Sequence, residues 1–220
     1  MNRSELALLI DHSVLKPEAT EADIRAGAAT VREWRIGFYC VQPCWVRMAA
    51  AALADTQARV VTIAGFPHGC DRAEVKAHAA ALAVGEGAAE VDMVLNFGAL
   101  KSGHATVAAA EIEAVVRAVP GIPVKVILET AALTGSEKEL ACRLAVDAGA
   151  AFVKTSTGFH PAGGATTADV RLLRAAVGPH LGVKASGGIR TLDDALAMIE
   201  AGASRIGASA SAEILAALPR

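Results

Sequence analysis

Short β-branched and aromatic runs alternate with alanine-rich stretches along the whole chain, and this alternation limits the fold more than any other feature. Intervening stretches of roughly ten to fifteen residues with helical composition predict repeated parallel βα units. Eight runs are predicted as strands: 6–10, 36–42, 59–65, 90–97, 123–129, 152–157, 182–186 and 205–209. Eight units without a break favour an α/β fold with a single (β/α)8 TIM-barrel domain over residues 1–220, although a doubly wound open sheet has the same alternation.

A weak internal repeat supports the barrel. The segments GAAEVDMV from Gly87, GAAFVKTS from Gly149 and GASRIGAS from Gly202 each place a Gly-Ala pair between a helical stretch and a strand. Glycine is favoured directly after a helix because it adopts the left-handed conformation without strain. The repeat therefore indicates equivalent helix-to-strand turns around one barrel.

Composition and charge exclude several classes of function. The chain carries 21 basic and 23 acidic residues, a net charge of -2, without the basic stripe that nucleic-acid binding needs. The apolar run Leu6–Ile10 is too short for a signal peptide or a membrane span. We therefore expect a cytoplasmic protein with no nucleic-acid and no membrane partner.

Cofactor and metal motifs are missing from the sequence. The four cysteines form no CxxC pair and the six histidines form no HxxxH pair, so we expect reduced thiols and no metal site. Gly158 to Gly163 have the spacing of a phosphate-binding P-loop, but Gly164 stands where its lysine would be. We expect neither ATP nor dinucleotide chemistry, and no organic cofactor.

Charged residues occupy one face of four predicted strands. Side chains alternate along a strand, so the apolar set of each strand faces the helices and the other set faces the lumen. The lumen-facing set includes Asp92, Lys125, Glu129, Lys154 and Lys184. A structural salt-bridge network is the simplest interpretation of one such lysine, but three lysines against two carboxylates leave the group unbalanced.

Two of these lysines indicate nucleophilic chemistry. Lys154 and Lys184 lie on neighbouring strands, and repulsion at about 6 Å would lower one pKa by roughly two units at an effective dielectric near 20. A partly neutral lysine amine attacks carbonyl groups and forms a Schiff base. Asp92 is then placed to transfer protons to and from the intermediates, directly or through water.

Glycine-rich turns follow the last three strands. They read STGFHPAGG after Lys154, SGGIRT after Lys184, and GASAS at the final strand. Such turns expose backbone N–H groups at the end of a barrel where phosphate groups bind. Together they predict a phosphate site beside the lysines.

With these residues assembled, the sequence resembles the deoxyribose-phosphate aldolases, a family of class I, Schiff-base aldolases with a (β/α)8 barrel. The motifs that carry the resemblance span nearly the whole chain: IDHSVLKP, FYCVQP, GFPHG, EVDMVLNFGALKSG, VKVILET, FVKTSTGF, VKASGGIRT and RIGAS. The resemblance implies that Lys154 forms the Schiff base, that Lys184 lowers its pKa, and that Asp92 donates and accepts protons. It also implies substrate-contacting or supporting positions at Asp11, Lys125 and Thr157, and a phosphate site at Gly158, Gly187, Gly188 and Ser209. Cys40 matches a cysteine that the family places near the pocket and is one expected substrate contact, although a buried, inert thiol is an equally good interpretation.

Two features depart from the family pattern. Members often carry two consecutive serines in the last phosphate loop, whereas Ala210 follows Ser209 here. Many members end in a tyrosine that assists proton transfer, whereas this chain ends at Arg220 and its only tyrosine is Tyr39. The resemblance then implies a proton route through Asp92, Lys184 and water.

The expected function is reversible cleavage of 2-deoxy-D-ribose 5-phosphate to acetaldehyde and D-glyceraldehyde 3-phosphate, without metal or cofactor. The expected partners are therefore small sugar-phosphate and aldehyde substrates, with a homodimer as one expected assembly. Two alternatives remain: another class I aldolase that acts on a different phosphorylated aldehyde, and a catalytically silent barrel that binds sugar phosphates. Intact Lys154, Lys184 and Asp92 disfavour the silent barrel, because a binding protein has no use for a neutral lysine.

Overall fold

Eight parallel strands form a closed barrel in the computed structural model, which describes residues 1–219. The strands are β1 (Ile10–Val14), β2 (Phe38–Val41), β3 (Arg59–Ala64), β4 (Glu90–Val94), β5 (Val124–Ile127), β6 (Phe152–Lys154), β7 (Gly182–Ser186) and β8 (Arg205–Ala208). Each strand pairs with the next in chain order, and β1 pairs with β8 to close the ring. The closure confirms the predicted (β/α)8 barrel and excludes the doubly wound open sheet.

The first strand lies further along the chain than predicted. Residues 6–10 were expected to form it, but Arg3–Ala7 form a helix and β1 begins only at Ile10. Asn2 and Glu5 form a capping box that satisfies the first N–H groups of this helix. Local capping thus favours a helix over the strand that the apolar run predicted. Because β1 begins at Ile10, Asp11 lies inside the strand. The other seven predicted strands are confirmed, mostly with shorter bounds.

Ten α-helices surround the barrel within residues 1–219. They are α1 (Arg3–Ala7), α2 (Glu21–Trp34), α3 (Val46–Leu53), α4 (Ala73–Gly85), α5 (Phe97–Lys101), α6 (Ala105–Ala118), α7 (Gly135–Asp147), α8 (Thr167–Val177), α9 (Leu192–Glu200) and α10 (Ser211–Ala216). Capping boxes at Thr20, Thr134 and Thr191 begin α2, α7 and α9. No helix in the described part of the chain has the length and apolarity required to cross a membrane.

Side chains from alternate strands fill the barrel in layers, as expected for this fold. The layer nearest the amino-terminal ends of the strands holds Phe38, Glu90, Phe152 and Arg205. The middle layer holds Asp11, Val61, Lys125 and Lys184, and the upper layer holds Cys40, Asp92, Lys154 and Gly207. A Cβ atom on Gly207 would lie 3.2 Å from Cε of Lys184, so the glycine leaves room for this lysine.

Candidate active site

One carboxylate in the barrel contacts three lysine amines. Lys125 Nζ donates to Asp92 Oδ1 at 2.8 Å, while Lys154 Nζ and Lys184 Nζ donate to Asp92 Oδ2 at 2.7 and 2.8 Å. Lys154 and Lys184 are directly paired on β6 and β7, and all four residues are buried. This is the group that strand alternation predicted. Lys154 and Lys184, two of the three expected catalytic residues, meet at Oδ2 of the third, Asp92.

The network continues toward the amino-terminal end of the barrel. Arg205 Nη1 donates to Asp11 Oδ1 at 2.9 Å and to Glu90 Oε2 at 3.0 Å. Lys184 also donates to Asp11, and Lys125 Nζ lies 2.5 Å from Glu90 Oε2. Glu90 and Arg205 were not among the residues predicted from the sequence. Each stands two residues before a lumen position on its strand, so the alternation rule would have found both.

The pKa values of the two neighbouring lysines move in opposite directions. Burial is the largest cause of the lowered pKa of Lys154; the charge of Asp92 opposes it, and the nearby Lys184 lowers the pKa further. Burial disfavours the charge of Lys184 as well, but Asp11 and Asp92 outweigh it and raise the pKa. Lys154 is therefore the amine suited to lose its proton. Repulsion by Lys184 contributes as expected, but burial contributes more.

Asp92 stays ionised in the middle of this group. Burial alone would raise the pKa of Asp92, but Lys125, Lys154 and Lys184 hold it well below its ordinary value. The carboxylate has an amine donor at each oxygen. Asp92 is therefore a fixed anion that can accept a proton only as its lysine contacts change.

Cys40 belongs to an apolar side of the lumen. It packs with Leu15, Val61 and Ile63, and the half-buried Phe66 contacts the same cluster. Burial, assisted by the charge of Asp92, raises the pKa of Cys40 to about 11. The thiol is protonated at neutral pH and is a poor nucleophile, so this position provides apolar contact rather than covalent chemistry.

Glu129 does not join the lysines, contrary to the sequence argument. It lies after β5 with a φ of 59°, and its Oε2 accepts a hydrogen bond from Thr157 Oγ1 at 2.5 Å. The backbone N–H of Thr157 also donates to this carboxylate. Within residues 1–219 Glu129 forms no ion pair with a lysine. It instead fixes the start of the loop after β6, which explains why Thr157 lies at the edge of the site.

The loops after β6 and β7 touch each other above the strand ends. Ala165 N donates to the carbonyl oxygen of Gly187 at 3.0 Å, and a Cβ atom on Gly164 would lie only 2.2 Å from that oxygen. Gly158, Gly187 and Gly188 have φ angles of 84°, 88° and 84°, which favour glycine. Ser209 follows β8 and is exposed. The four residues expected to bind phosphate thus follow the carboxyl ends of β6, β7 and β8, and Lys154 is the last residue of β6.

His12 and Tyr39 have structural roles. His12 Nδ1 lies 2.5 Å from Ser211 Oγ, its ring stacks on Tyr39 at 5.8 Å, and burial lowers its pKa to about 4. Tyr39 is fully buried and donates to the carbonyl oxygen of Ile24 at 2.8 Å. Among the described residues, neither side chain forms a hydrogen bond or an ion pair with the three lysines. Among the described residues, no cluster of three or more His, Cys, Asp or Glu side chains is arranged around a metal position.

Comparisons with known proteins agree with this geometry. The family profile described as "DeoC/LacD family aldolase" matches residues 5–216. The chain is 54% identical to the deoxyribose-phosphate aldolase of Enterococcus faecalis, covering 96% of both chains, and 52% identical to that of Bacillus subtilis, covering 96% of this chain and 94% of the relative. The solved deoxyribose phosphate aldolase of Aeropyrum pernix, described as tetrameric, superposes with a TM-score of 0.89 at 30% identity, covering 97% of this chain and 91% of that one. The chain belongs to the DeoC/LacD family of aldolases, which are carbon–carbon lyases.

Proposed function

We propose that this protein cleaves 2-deoxy-D-ribose 5-phosphate reversibly to acetaldehyde and D-glyceraldehyde 3-phosphate, with Lys154 as the Schiff-base nucleophile. The observation that carries the proposal is the contrast between two adjacent lysines on one carboxylate oxygen. Burial lowers the pKa of Lys154, whereas the carboxylates around Lys184 raise its pKa. One amine is suited to attack a carbonyl and the other to remain a cation.

The reaction follows from these protonation states. Neutral Lys154 attacks C1 of the open-chain sugar, and loss of water from the carbinolamine gives an iminium ion. The C2–C3 bond breaks when the C3 hydroxyl loses its proton, so that C3 leaves as the aldehyde carbon of D-glyceraldehyde 3-phosphate. The bonding electrons form an enamine on the lysine. A proton then adds to C2 of the enamine, and hydrolysis of the imine releases acetaldehyde and frees Lys154. Asp92, with Lys184 and water, is the proton carrier we propose for these transfers.

Borohydride trapping tests the proposal. Incubation with acetaldehyde and sodium borohydride should leave an ethyl group on Lys154, located by peptide mass spectrometry. The trapped protein should lose its cleavage activity in proportion to the adduct. Absence of an adduct on Lys154, with activity intact in the same sample, would refute the mechanism.

A change at Lys184 tests the charge coupling. We expect Lys184→Met to raise the pKa of Lys154, because the neighbouring cation is lost, and to move the acid limb of the kcat/KM profile upward by about one pH unit. The pH profile of the variant beside that of the wild type measures this shift. An unchanged acid limb in a folded variant would show that the charge of Lys184 does not contribute to the lowered pKa of Lys154.

The phosphate site is the second part of the proposal. The touching glycine loops after β6 and β7 and the exposed Ser209 support a site for the 5-phosphate, where backbone N–H groups bind the anion. The phosphate would hold C1 of the sugar over Lys154. It would also explain a preference for the phosphorylated sugar over free deoxyribose.

Ala210 offers a test of phosphate recognition. It is the N-cap of α10 and supplies no side-chain cap. We expect Ala210→Ser to lower KM severalfold for deoxyribose 5-phosphate but not for deoxyribose, because the hydroxyl adds a donor to the phosphate loop. Steady-state kinetics with both sugars measure the difference, and equal changes for the two would contradict a phosphate contact.

A homodimer is the assembly we propose. Val75, Leu82 and Val107 lie on the neighbouring helices α4 and α6 and are 54%, 57% and 46% exposed. Helices α4 and α6 pack against each other, and exposed apolar surface on adjacent helices supports a protein–protein contact there. The mass in solution, measured by light scattering across a dilution series, distinguishes a dimer from a monomer or a tetramer.

A further inference from the structure

Seven buried side chains form one continuous ion-pair network through three layers of the barrel. They are Asp11, Glu90, Asp92, Lys125, Lys154, Lys184 and Arg205. Four cations therefore face three carboxylates when every group is ionised. An excess charge inside a protein is unfavourable, and loss of one lysine proton would leave three cations and three anions.

The contacts indicate which cation is in excess. Lys125, Lys184 and Arg205 each contact two carboxylates of the network. Lys154, by contrast, contacts one carboxylate among residues 1–219, and it shares Asp92 Oδ2 with Lys184. The amine with the least compensation loses its proton most easily. Lys154 is therefore the residue whose loss of a proton restores the charge balance of the network.

We propose that the Arg205–Glu90 pair, in the lowest layer of the barrel, controls the protonation of Lys154 without touching the substrate. Arg205 supplies the fourth cation, so the fully ionised network has one more positive than negative charge. Glu90 limits that effect by compensating Arg205 and Lys125. The inference deepens the proposed function, because it assigns a distant pair that tunes the proposed nucleophile.

The layer nearest the amino-terminal ends of the strands shields the charge of Arg205 from solvent. The guanidinium carbon of Arg205 lies 3.3 Å from the ring centroid of Phe38 and 5.3 Å from that of Phe152. Arg205 is 7% exposed and Glu90 is 2% exposed. Because water and salt reach these groups poorly, their charges act on the layers above more strongly than surface charges would.

The remaining groups around Lys154 do not change the number of cations and carboxylates in the network. Cys40 on β2 is a protonated thiol, and β3 contributes the uncharged Val61 and Ile63, while Arg59 at the start of β3 is exposed. Glu129 after β5 is bound to Thr157 at the rim. Asp11, Asp92, Lys125 and Lys184 complete the charged groups that face Lys154 from β1, β4, β5 and β7.

The direction of each expected shift in the protonation of Lys154 follows from the charge balance of the network. Arg205→Gln removes a cation and should raise the protonation midpoint of Lys154, whereas Glu90→Gln removes an anion and should lower it. A buried unit charge at about 10 Å shifts such a midpoint by about one pH unit at an effective dielectric near 20. The double variant should return close to the wild type, and Arg205→Lys, which keeps the charge, should shift little.

Competitive acetylation measures the midpoint without relying on catalysis. Each protein is treated with trace acetic anhydride across a pH series, and labelling of the Lys154 peptide is quantified by mass spectrometry. Trapping with acetaldehyde and cyanoborohydride is measured in parallel. Glu113→Gln and Arg117→Gln are matched controls, because they remove the same charges from an exposed pair on α6, and we expect neither to shift the midpoint.

Opposite shifts for Arg205→Gln and Glu90→Gln, cancelled in the double variant, would establish the control. Identical midpoints in all folded variants would overturn it. If Arg205→Gln does not fold, as judged by circular dichroism, the comparison of Glu90→Gln with Arg205→Lys decides in the same way. Failure of the proposed function is distinguishable: Lys154 would then form no acetaldehyde adduct in the wild type, while its acetylation midpoint would still follow the charges.

Discussion

The Lys154→Met protein is expected to lose deoxyribose-phosphate cleavage by at least about 10⁴-fold while keeping its fold, since removal of a covalent nucleophile eliminates the pathway it opens. The methionine side chain has nearly the volume of the lysine it replaces. The substitution also removes the amine whose protonated form is least compensated in the ion-pair network, while Asp92 keeps its contacts with Lys125 and Lys184. The thermal midpoint should therefore equal or exceed that of the wild type.

Three measurements check this expectation: the cleavage rate, borohydride trapping with acetaldehyde, and the thermal unfolding curve. Lys101→Met is the matched control, because Lys101 lies on the surface, 44% exposed, with Ala132 and Glu137 as its partners. This control should retain full activity and trapping. Residual cleavage above about one per cent in the Lys154→Met protein, with an adduct on another lysine, would move the nucleophile elsewhere.

Much of this architecture was predictable from the sequence because two periodicities dominate it. The βα alternation predicted the closed barrel, and the alternation of side chains along β4 to β7 predicted that Asp92, Lys125, Lys154 and Lys184 would meet in the lumen. Both rules are local and depend on backbone geometry. The glycine-rich turns after β6, β7 and β8 likewise indicated that these three loops lie together at the carboxyl end of the barrel.

The missed features depend on non-local or cap-level interactions. Helix α1 replaced a predicted strand because the capping box of Asn2 and Glu5 stabilises it. Glu129 was expected beside the lysines, but the backbone adopts a left-handed conformation at this residue and its side chain bonds to Thr157. Alternation ends where the strand ends, so the rule does not extend to such a residue. Strand alternation would have placed Arg205 and Glu90 in the lumen, but the pairing that sets the charge balance of the network joins residues that lie 115 positions apart in the chain.

The Asp92→Asn protein should lose both activity and stability. Loss of the proton carrier should lower kcat by about 10²- to 10⁴-fold. The substitution would leave the buried Lys125, Lys154 and Lys184 without their shared anion, and breaking a buried pair in this way costs about 3–5 kcal/mol of unfolding free energy. Asparagine has nearly the same shape as aspartate, so the loss reports charge rather than packing. Chemical denaturation and steady-state kinetics at neutral pH measure the two effects.

The pH dependence of this stability loss identifies its cause. The pKa of Asp92 is lower in the folded protein than its ordinary value of 3.8, so its contribution to stability is complete above about pH 4 and falls as the pH drops toward the folded pKa. The difference in unfolding free energy between the wild type and Asp92→Asn should therefore shrink as the pH falls below about 4. Asp55→Asn is the control, because Asp55 also has a lowered pKa, about 2, but lies exposed in a surface pair with Arg32. A difference for Asp92→Asn that stays constant down to about pH 2 would mean that the carboxylate acts through packing, and the charge network would then not stabilise the barrel.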